Sequence, residues 1–208
     1  MDCIEAMKDM DDNAFDLAIV DPPYGIKESS YRKKASNLSA PKGEYNTALW
    51  GQKKMDGNYW ENLFRVSKNQ IVWGGNYFTD NLYESRCWIV WDKCTQSSQF
   101  ADVELAWTSW KNSAKLFKFM WNGMLQGNMK HKEIRQHPTQ KPVALYKWLL
   151  KNYAKEGDAI LDTHLGSGSI AIACHDMGHD LTAYEIDKDY FEAAKKRIEN
   201  HMSQMQLF

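Results

Sequence analysis

Short apolar runs alternate along the chain with stretches whose apolar residues recur at helical spacing. The runs are three to six residues long, as expected of strands buried on both faces, and lie at 15–20, 70–73, 87–91, 103–107, 159–161 and 181–184. The helical stretches lie at 57–67, 142–153, 169–177 and 187–200. This alternation predicts an α/β fold with a doubly wound, mostly parallel sheet. Ligands of such sheets bind beyond the carboxyl ends of the strands, where we therefore look for chemistry.

Length and composition narrow the class of protein. The 208 residues suit a single domain spanning 1–208, because domains typically hold about 100–200 residues. The mean hydropathy is −0.63, and the sequence lacks an apolar run of the roughly 18 residues that a membrane span needs. There is no secretion signal, and the four cysteines contain no C-x-x-C pair. We therefore expect a cytoplasmic protein with free thiols, no membrane partner and no metal site.

The net charge of −1 hides two basic segments. Residues 27–54 carry seven basic groups against two acids, and residues 111–141 carry seven against one. Aromatic residues are interleaved with both segments, and Trp121 is the tryptophan to test for base contact. Each segment alone could be a solvated loop, but the pair favours a nucleic-acid partner. The first segment predicts a mobile basic loop at about 25–55.

A glycine turn follows the apolar run at 159–161. The sequence from Asp162 to Ser169 reads D-T-H-L-G-S-G-S, and the next strand ends at Glu185. Glycines allow the backbone to approach a ligand closely, and the start of the following helix offers free N–H groups. An acid at the end of the next strand commonly holds ribose hydroxyls. The pattern therefore favours a nucleoside ligand over a simple tight turn, and both NAD and S-adenosylmethionine qualify.

A second motif, Asp21-Pro22-Pro23-Tyr24, follows the first apolar run. It could be a simple proline turn. It also suits the exocyclic amine of a nucleobase, which is a poor nucleophile because its lone pair is delocalised into the ring. The Asp21 carboxylate and the Pro22 carbonyl could accept its two N–H groups and favour a pyramidal nitrogen, while the prolines hold the backbone rigid. Tyr24 could stack on the base, which is worth about 1–3 kcal/mol.

Together these motifs resemble those of the DNA amino-methyltransferases, in the circularly permuted order that places the catalytic motif ahead of the cofactor motif. Three further segments agree with that family: H-P-T-Q-K-P at 137–142, I-V-W-G-G-N-Y-F at 71–78, and Asp2-Cys3 at the start of the chain. The resemblance implies a Rossmann-like fold, S-adenosylmethionine as cofactor and no metal. It also implies that Asp21, Pro22, Pro23 and Tyr24 are catalytic.

The resemblance also assigns cofactor contacts. The residues implied are Asp162, Gly166, Ser167, Gly168, Thr139 and Lys141 for the methionine part, Glu185 for the ribose and Asp2 for the adenine. His164 stands where the family usually has an aromatic residue, and it either packs on the cofactor or is a turn histidine. The strand that precedes the acid corresponding to Asp2 in the family is absent from the sequence. We therefore expect a sheet one strand short, or a clipped sequence.

The implied substrate is double-stranded DNA with the target base flipped out of the duplex. Asp21 favours adenine N6, because the family tends to have Ser in its place for cytosine N4, so a restriction-modification adenine methyltransferase is expected. Residues of about 111–135 lie where the family has its target-recognition segment. The alternatives are a cytosine N4 methyltransferase, methylation of an RNA or protein amine, and a non-catalytic DNA-binding remnant. The resemblance also admits a homodimer.

Overall fold

The computed structural model describes residues 1–25, 54–95, 101–122, 125–137 and 139–205. Almost all of the predicted basic loop at 25–55 and Pro138 of the H-P-T-Q-K-P segment lie outside these residues. In chain order the described elements are α1 (Cys3–Lys8), β1 (Phe15–Val20), α2 (Gly57–Val66), β2 (Ser67–Trp73), a 3-10 turn (Gly75–Tyr77), β3 (Ile89–Asp92), β4 (Val103–Thr108), β5 (Lys115–Lys118), β6 (Trp121–Asn122), β7 (Leu125–Gln126), α3 (Val143–Tyr153), β8 (Ala159–Asp162), α4 (Ser169–Met177), β9 (Asp180–Ala183) and α5 (Lys188–Met205).

The chain forms two compact units, and α2 and β2 each have residues in both. Unit 1 comprises Met1–Val20, Glu61–Gln70 and Arg135–Phe208, and unit 2 comprises Asp21–Trp60 and Ile71–Ile134. We describe each unit by itself.

Parallel strands form the sheet of unit 1. β8 lies between β1 and β9 and is parallel to both. Ala18 pairs with Leu161, and Asp162 pairs with Ala183, so the three strands end at the same edge. The strands are apolar because they are buried: Leu17, Ile160 and Leu161 are at most 1% exposed.

A glycine lies at each end of α4, the helix that follows β8 in unit 1. Gly168 precedes the helix with φ +75°, and Gly178 follows it with φ +72°. Both angles lie in the left-handed region, which glycine adopts without the steric cost that other residues incur. The helix therefore occupies the predicted residues 169–177.

Unit 2 contains antiparallel strand pairs, and its strand order is β5, β3, β4, β2. β4 is antiparallel to both β2 and β3, whereas β3 and β5 are parallel. The core contains Trp73, Trp91 and Trp107, each at most 1% exposed.

One part of unit 2 departs from the prediction. Residues 111–134 contain β5, β6 and β7, where the pattern of apolar positions predicts no strands. Trp121 is only 6% exposed, and its ring lies 6.4 Å from that of Phe119. Trp121, which the sequence singles out for a test of base contact, is therefore a buried side chain.

Within the described residues, no helix is both long and apolar enough to span a bilayer.

An ion-pair cluster joins three helices of unit 1. Asp176 on α4 lies 2.6 Å from Lys147 Nζ on α3 and 2.6 Å from His201 Nε2 on α5. Burial alone would raise the pKa of the Asp176 carboxyl, but the hydrogen bonds and charges of Lys147 and His201 outweigh burial and lower it. Ionised Asp176 therefore stabilises the packing of the three helices.

We predict that Asp176→Asn lowers the free energy of unfolding at pH 7 by about 1–2 kcal/mol, because two charge-assisted hydrogen bonds are lost at a site that solvent partly screens. The folded-state pKa lies below the ordinary 3.8, so this stabilisation is complete above that value and is lost as the pH falls through the folded pKa. Urea denaturation at several pH values measures both effects. Glu192→Gln, on the exposed side of α5, is the control. A wild-type to variant difference that persists unchanged at acidic pH would contradict this role.

Candidate functional site

The end of β8 and the glycine turn form the first part of the site, in unit 1. Asp162 is 2% exposed, and its Oδ1 accepts the backbone N–H of His164 at 2.9 Å. The Leu165 N–H donates to the Tyr184 carbonyl at 2.8 Å, which holds the turn beside the residue that follows β9. Gly166 has φ +53°, and a Cβ placed on it would come no closer than 3.8 Å to another residue. Its backbone is therefore open to close approach by a ligand.

Glu185 joins the end of β9 to this turn. Its Oε2 accepts the Gly166 N–H at 2.9 Å, and its Oε1 accepts the Asp187 N–H at 2.9 Å. The carboxylate is therefore fixed in position, yet each oxygen retains a lone pair for a further donor such as a hydroxyl. Ile186, the next residue, is 68% exposed and offers an apolar surface beside the acid. Ile186 was not among the predicted site residues, although the sequence places it directly after Glu185.

The start of the chain lies at the same edge of the sheet. The Met1 backbone nitrogen donates to the Glu185 carbonyl at 2.9 Å. Asp2 caps α1, because its Oδ1 accepts the Ile4 N–H at 2.8 Å. Burial, followed by the negative charges of Asp2 and Asp162, raises the pKa of the Cys3 thiol to about 12. Cys3 is thus a neutral thiol close to both acids.

The H-P-T-Q-K-P segment borders the glycine turn. His137 is 8% exposed, and its ring packs against Tyr190 with a centroid distance of 4.4 Å. Its Nδ1 lies 3.1 Å from Thr139 Oγ1 and 3.8 Å from where a Gly166 Cβ would be. Lys141 is 4% exposed, whereas Thr139 is exposed. Thr139 therefore contacts His137, and His137 lies beside Gly166 of the turn. His137 is a positioning residue that the site prediction did not include.

α5 supports the turn from the other side. Arg197 Nη1 donates to the Ser167 carbonyl at 2.8 Å and to Ser169 Oγ at 2.9 Å. A Cβ on Gly168 would lie 3.1 Å from Ile198 Cδ1, so the helix packs directly on the turn. Sequence reasoning missed Arg197, since a basic residue on an amphipathic helix gives no local sign of its partner.

His164 lies at the exit of β8. Its Nδ1 is 2.8 Å from Thr163 Oγ1, and the side chain is half-buried. Unit 1 thus brings together the predicted residues Asp2, Thr139, Asp162, His164, Gly166, Ser167, Gly168 and Glu185. Hydroxyl acceptors, an apolar surface and an open glycine backbone together suit a nucleoside-containing ligand. No group of three or more His, Cys, Asp or Glu in the described ranges is arranged to hold a metal ion.

The Asp21–Tyr24 motif lies in unit 2, where its two ends are hydrogen-bonded to each other. Tyr24 Oη donates to Asp21 Oδ1 at 2.6 Å. The Tyr24 ring stacks on Tyr77 with centroids 4.9 Å apart and an interplanar angle of 14°. Pro22 is buried, and Pro23 is half-buried. The carboxylate and the aromatic face of the motif are therefore held in a defined arrangement.

The 3-10 turn after β2 makes this arrangement possible. A Cβ on Gly74 would lie 2.2 Å from Tyr24 Cε1, so only glycine leaves room for the ring. Lys54 Nζ donates to the Tyr77 carbonyl at 2.8 Å and anchors the turn. Sequence reasoning noted the 71–78 segment but did not assign Tyr77 to the site.

The known proteins that this chain resembles are DNA methyltransferases. The family model described as DNA methylase, for N6 and N4 methyltransferases, matches residues 79–196, more than half of the chain. The Type II methyltransferase M.HpaI of Haemophilus parainfluenzae is 26% identical over 96% of this chain and 73% of its own length.

Two solved structures show the same fold. The M1.HpyAVI–SAM complex has a TM-score of 0.55 at 21% identity, covering 94% of this chain and 96% of that one. The cytosine-N4-specific PvuII DNA methyltransferase has a TM-score of 0.60 at 12% identity, covering 98% and 90%. These likenesses confirm the predicted α/β fold class.

We predict that Gly74→Ala destabilises the protein more than Gly157→Ala does. Both glycines have a positive φ, which costs an alanine about 1–2 kcal/mol, but a Cβ at Gly157 meets nothing within 4 Å whereas one at Gly74 collides with Tyr24. Urea denaturation measures the two losses. Adding Tyr24→Ala should remove most of the excess loss in Gly74→Ala, as a double-mutant cycle would show. Equal losses for the two alanine variants would mean that Tyr24 does not pack against Gly74.

Proposed function

The chain belongs to the DNA methylase family of N6 and N4 amino-methyltransferases, and we propose that it transfers the methyl group of S-adenosylmethionine to the N6 amine of adenine in double-stranded DNA. The observation that carries this proposal is the Asp21 carboxylate of the D-P-P-Y motif, held at 2.6 Å by the Tyr24 hydroxyl. A carboxylate at this position can accept an amine N–H, and in this family it favours adenine.

The residues at the edge of unit 1 fit the cofactor. S-adenosylmethionine supplies an electrophilic methyl group on a positively charged sulfur. We assign Glu185 to the ribose hydroxyls, because its fixed carboxylate oxygens retain free lone pairs. Ile186 offers its exposed apolar surface to the adenine, beside Asp2. The methionine part falls to Asp162, His164, Gly166, Ser167, Gly168, Thr139 and Lys141.

Asp21 and Pro22 activate the target amine. The Asp21 carboxylate and the Pro22 carbonyl each accept one N–H, which favours a pyramidal nitrogen whose lone pair is free to react. In the structure the hydroxyl of Tyr24 donates to Asp21 Oδ1. A carboxylate can accept more than one hydrogen bond, so the amine can donate to Asp21 beside Tyr24 or in its place. As the new N–CH₃ bond forms, the S–CH₃ bond breaks and the sulfur becomes neutral. Asp21 is the nearest acceptor for the proton that the methylated amine then loses.

Tyr24 holds the base after it leaves the duplex. Flipping a base costs a few kcal/mol, and stacking on an aromatic ring returns about 1–3 kcal/mol. Val20 is the last residue of β1, and Asp21 follows it directly in the chain. Positioning of the two reactants supplies most of the rate acceleration.

Cytosine N4 is the second candidate for the acceptor. The structure of the cytosine-N4-specific PvuII enzyme has a TM-score of 0.60 against this chain, as high as any of the likenesses described above. The N4 amine is also an exocyclic amine conjugated to a ring, so the same grip by Asp21 and Pro22 would serve it. The modified nucleoside distinguishes the two candidates.

We predict that DNA incubated with the protein and labelled S-adenosylmethionine contains N6-methyladenine, and that Asp21→Asn lowers the rate at least about 100-fold, the scale of losing one directed electrostatic interaction with the reacting group. Nucleoside digestion followed by mass spectrometry identifies the product. Asp80→Asn, at an exposed residue of the same unit, is the control and should keep the wild-type rate. Detection of N4-methylcytosine in place of N6-methyladenine would show that cytosine is the acceptor. An Asp21→Asn enzyme with the wild-type rate would refute the role of Asp21.

We predict that Glu185→Gln raises the Kd for S-adenosylmethionine about tenfold or more, because hydrogen bonds to a charged acceptor are worth about 1.5–3 kcal/mol. In the native protein the N–H groups of Gly166 and Asp187 both donate to the Glu185 carboxylate. The NH₂ of the new amide would face one of these N–H groups, and because both are donors that hydrogen bond would be lost. Titration calorimetry without DNA measures the Kd. The matched control is Glu156→Gln, which neutralises an exposed acid remote in sequence from the turn. An unchanged Kd would remove Glu185 from the cofactor site.

A further inference from the structure

A cleft in unit 2 collects positive charge that the proposed chemistry does not use. Its volume is about 420 Å³, and its lining residues are Arg86, Lys111, Asn112, Ser113 and Lys115, which we call the basic cleft. All five are exposed. They come from two separate parts of the chain, the approach to β3 and the connection from β4 to β5.

Hydrogen bonds hold these two parts of the chain together. Ser85 Oγ donates to the Trp110 carbonyl at 3.1 Å and accepts the Cys87 N–H at 3.1 Å. The Lys115 N–H donates to the Trp88 carbonyl at 2.8 Å. The backbone on both sides of the basic cleft is therefore tied to the sheet, and the three cations are brought together by the fold.

No acid among the described residues forms an ion pair with the cations of the basic cleft. In the part of the chain that the structure describes, Arg86, Lys111 and Lys115 form no ion pair, whereas Lys68, Lys93 and Lys147 each do. Three like charges at one cleft repel one another unless an anion binds between them. Asn112 and Ser113 add an amide and a hydroxyl, which are common partners of phosphate oxygens.

Protection of the sheet edge does not account for this cluster. β5 is the outermost strand of unit 2, and lysines on an edge strand discourage pairing with other chains. That role could explain Lys115. It does not explain Arg86 or Lys111, which lie outside the strands.

The distance to Tyr24 suits DNA. Lys115, Ile89, Ala106 and Trp73 lie in one row across four strands. Three interstrand spacings of about 4.8 Å place Lys115 about 14 Å from Trp73, and the next residue, Gly74, contacts Tyr24. Phosphates follow one another at about 3.4 Å along each strand of a duplex, so one duplex can reach both places.

A second cleft has residues from both regions in its walls. Its volume is about 390 Å³, and its walls include Gly75 of the 3-10 turn and Ser85, the residue before Arg86. Tyr83 and Trp88 add aromatic surface to these walls, and Glu84 adds one acid.

We propose that the basic cleft binds a backbone phosphate of the duplex DNA whose flipped base is held by Tyr24. The identification of the anion as a DNA phosphate rests on the proposed function. The phosphate interaction fixes the position of the duplex and contributes affinity without reading sequence. It acts on DNA binding and leaves the transfer step at saturating DNA unchanged.

The test compares two variants with equal loss of charge. One is Arg86→Gln/Lys111→Gln/Lys115→Gln, and the control is Lys151→Gln/Lys195→Gln/Lys196→Gln, at exposed positions of α3 and α5. Fluorescence anisotropy with a labelled 24-base-pair duplex measures Kd over a range of salt concentrations, and calorimetry measures the Kd for S-adenosylmethionine. If the triple variant unfolds at a lower temperature than the wild type, Lys111→Glu replaces it in the test, because it changes a single exposed residue between two strands.

The cleft variant should bind the duplex at least tenfold more weakly at low salt, and its slope of log K against log salt should be shallower by about 0.9 for each phosphate that it no longer neutralises. KM for DNA should rise, while kcat and the Kd for S-adenosylmethionine stay at the control values. An affinity and a salt slope equal to those of the control would overturn the proposal. Loss of affinity for an RNA strand of the same length, with duplex binding intact, would also overturn it. If the wild type binds DNA through the cleft but transfers no methyl group, the proposed function fails and the cleft stands.

Discussion

The parallel register of β1, β8 and β9 is the constraint on which the proposed cofactor site depends. Leu161 pairs with Ala18 on one side and with Thr182 on the other, so the strands run together and stop together. Because Ile160 and Leu161 are fully buried, a shift by one residue would move Asp162 into the apolar part of the strand. Hydrophobic burial therefore determines where the polar residues begin.

The polar residues at this edge hold one another in place. Glu185 accepts the Gly166 N–H, Asp162 accepts the His164 N–H, and Arg197 binds the Ser167 carbonyl from the opposite side. The turn is thus fixed before any ligand arrives, which lowers the entropic cost of binding. The aromatic arrangement of unit 2 follows the same principle, since the missing side chain of Gly74 leaves the space that Tyr24 occupies.

Sequence was informative where one local requirement determined the structure. The bounds of α4 could be predicted because glycines bound it on both sides, and the edge carrying Asp162 and Glu185 could be predicted from strands that end in polar residues. Residues that act through distant partners could not: neither Arg197 nor Tyr77 has a local signature. β5 was missed because its pattern, Lys-Leu-Phe-Lys, is short and partly exposed. The burial of Trp121 could not be predicted, because its charged neighbours in sequence do not reveal where its ring lies.

A crystal structure of the protein with S-adenosylhomocysteine, the stable product of methyl transfer, would show directly whether this edge of the sheet holds the cofactor. We predict that both ribose hydroxyls lie within hydrogen-bond distance of the Glu185 carboxylate. We also predict that the backbone of Gly166 contacts the ligand and that the Glu185–Gly166 hydrogen bond is retained. A ligand bound away from the ends of β8 and β9, or a Glu185 carboxylate turned away from the ribose, would contradict this assignment.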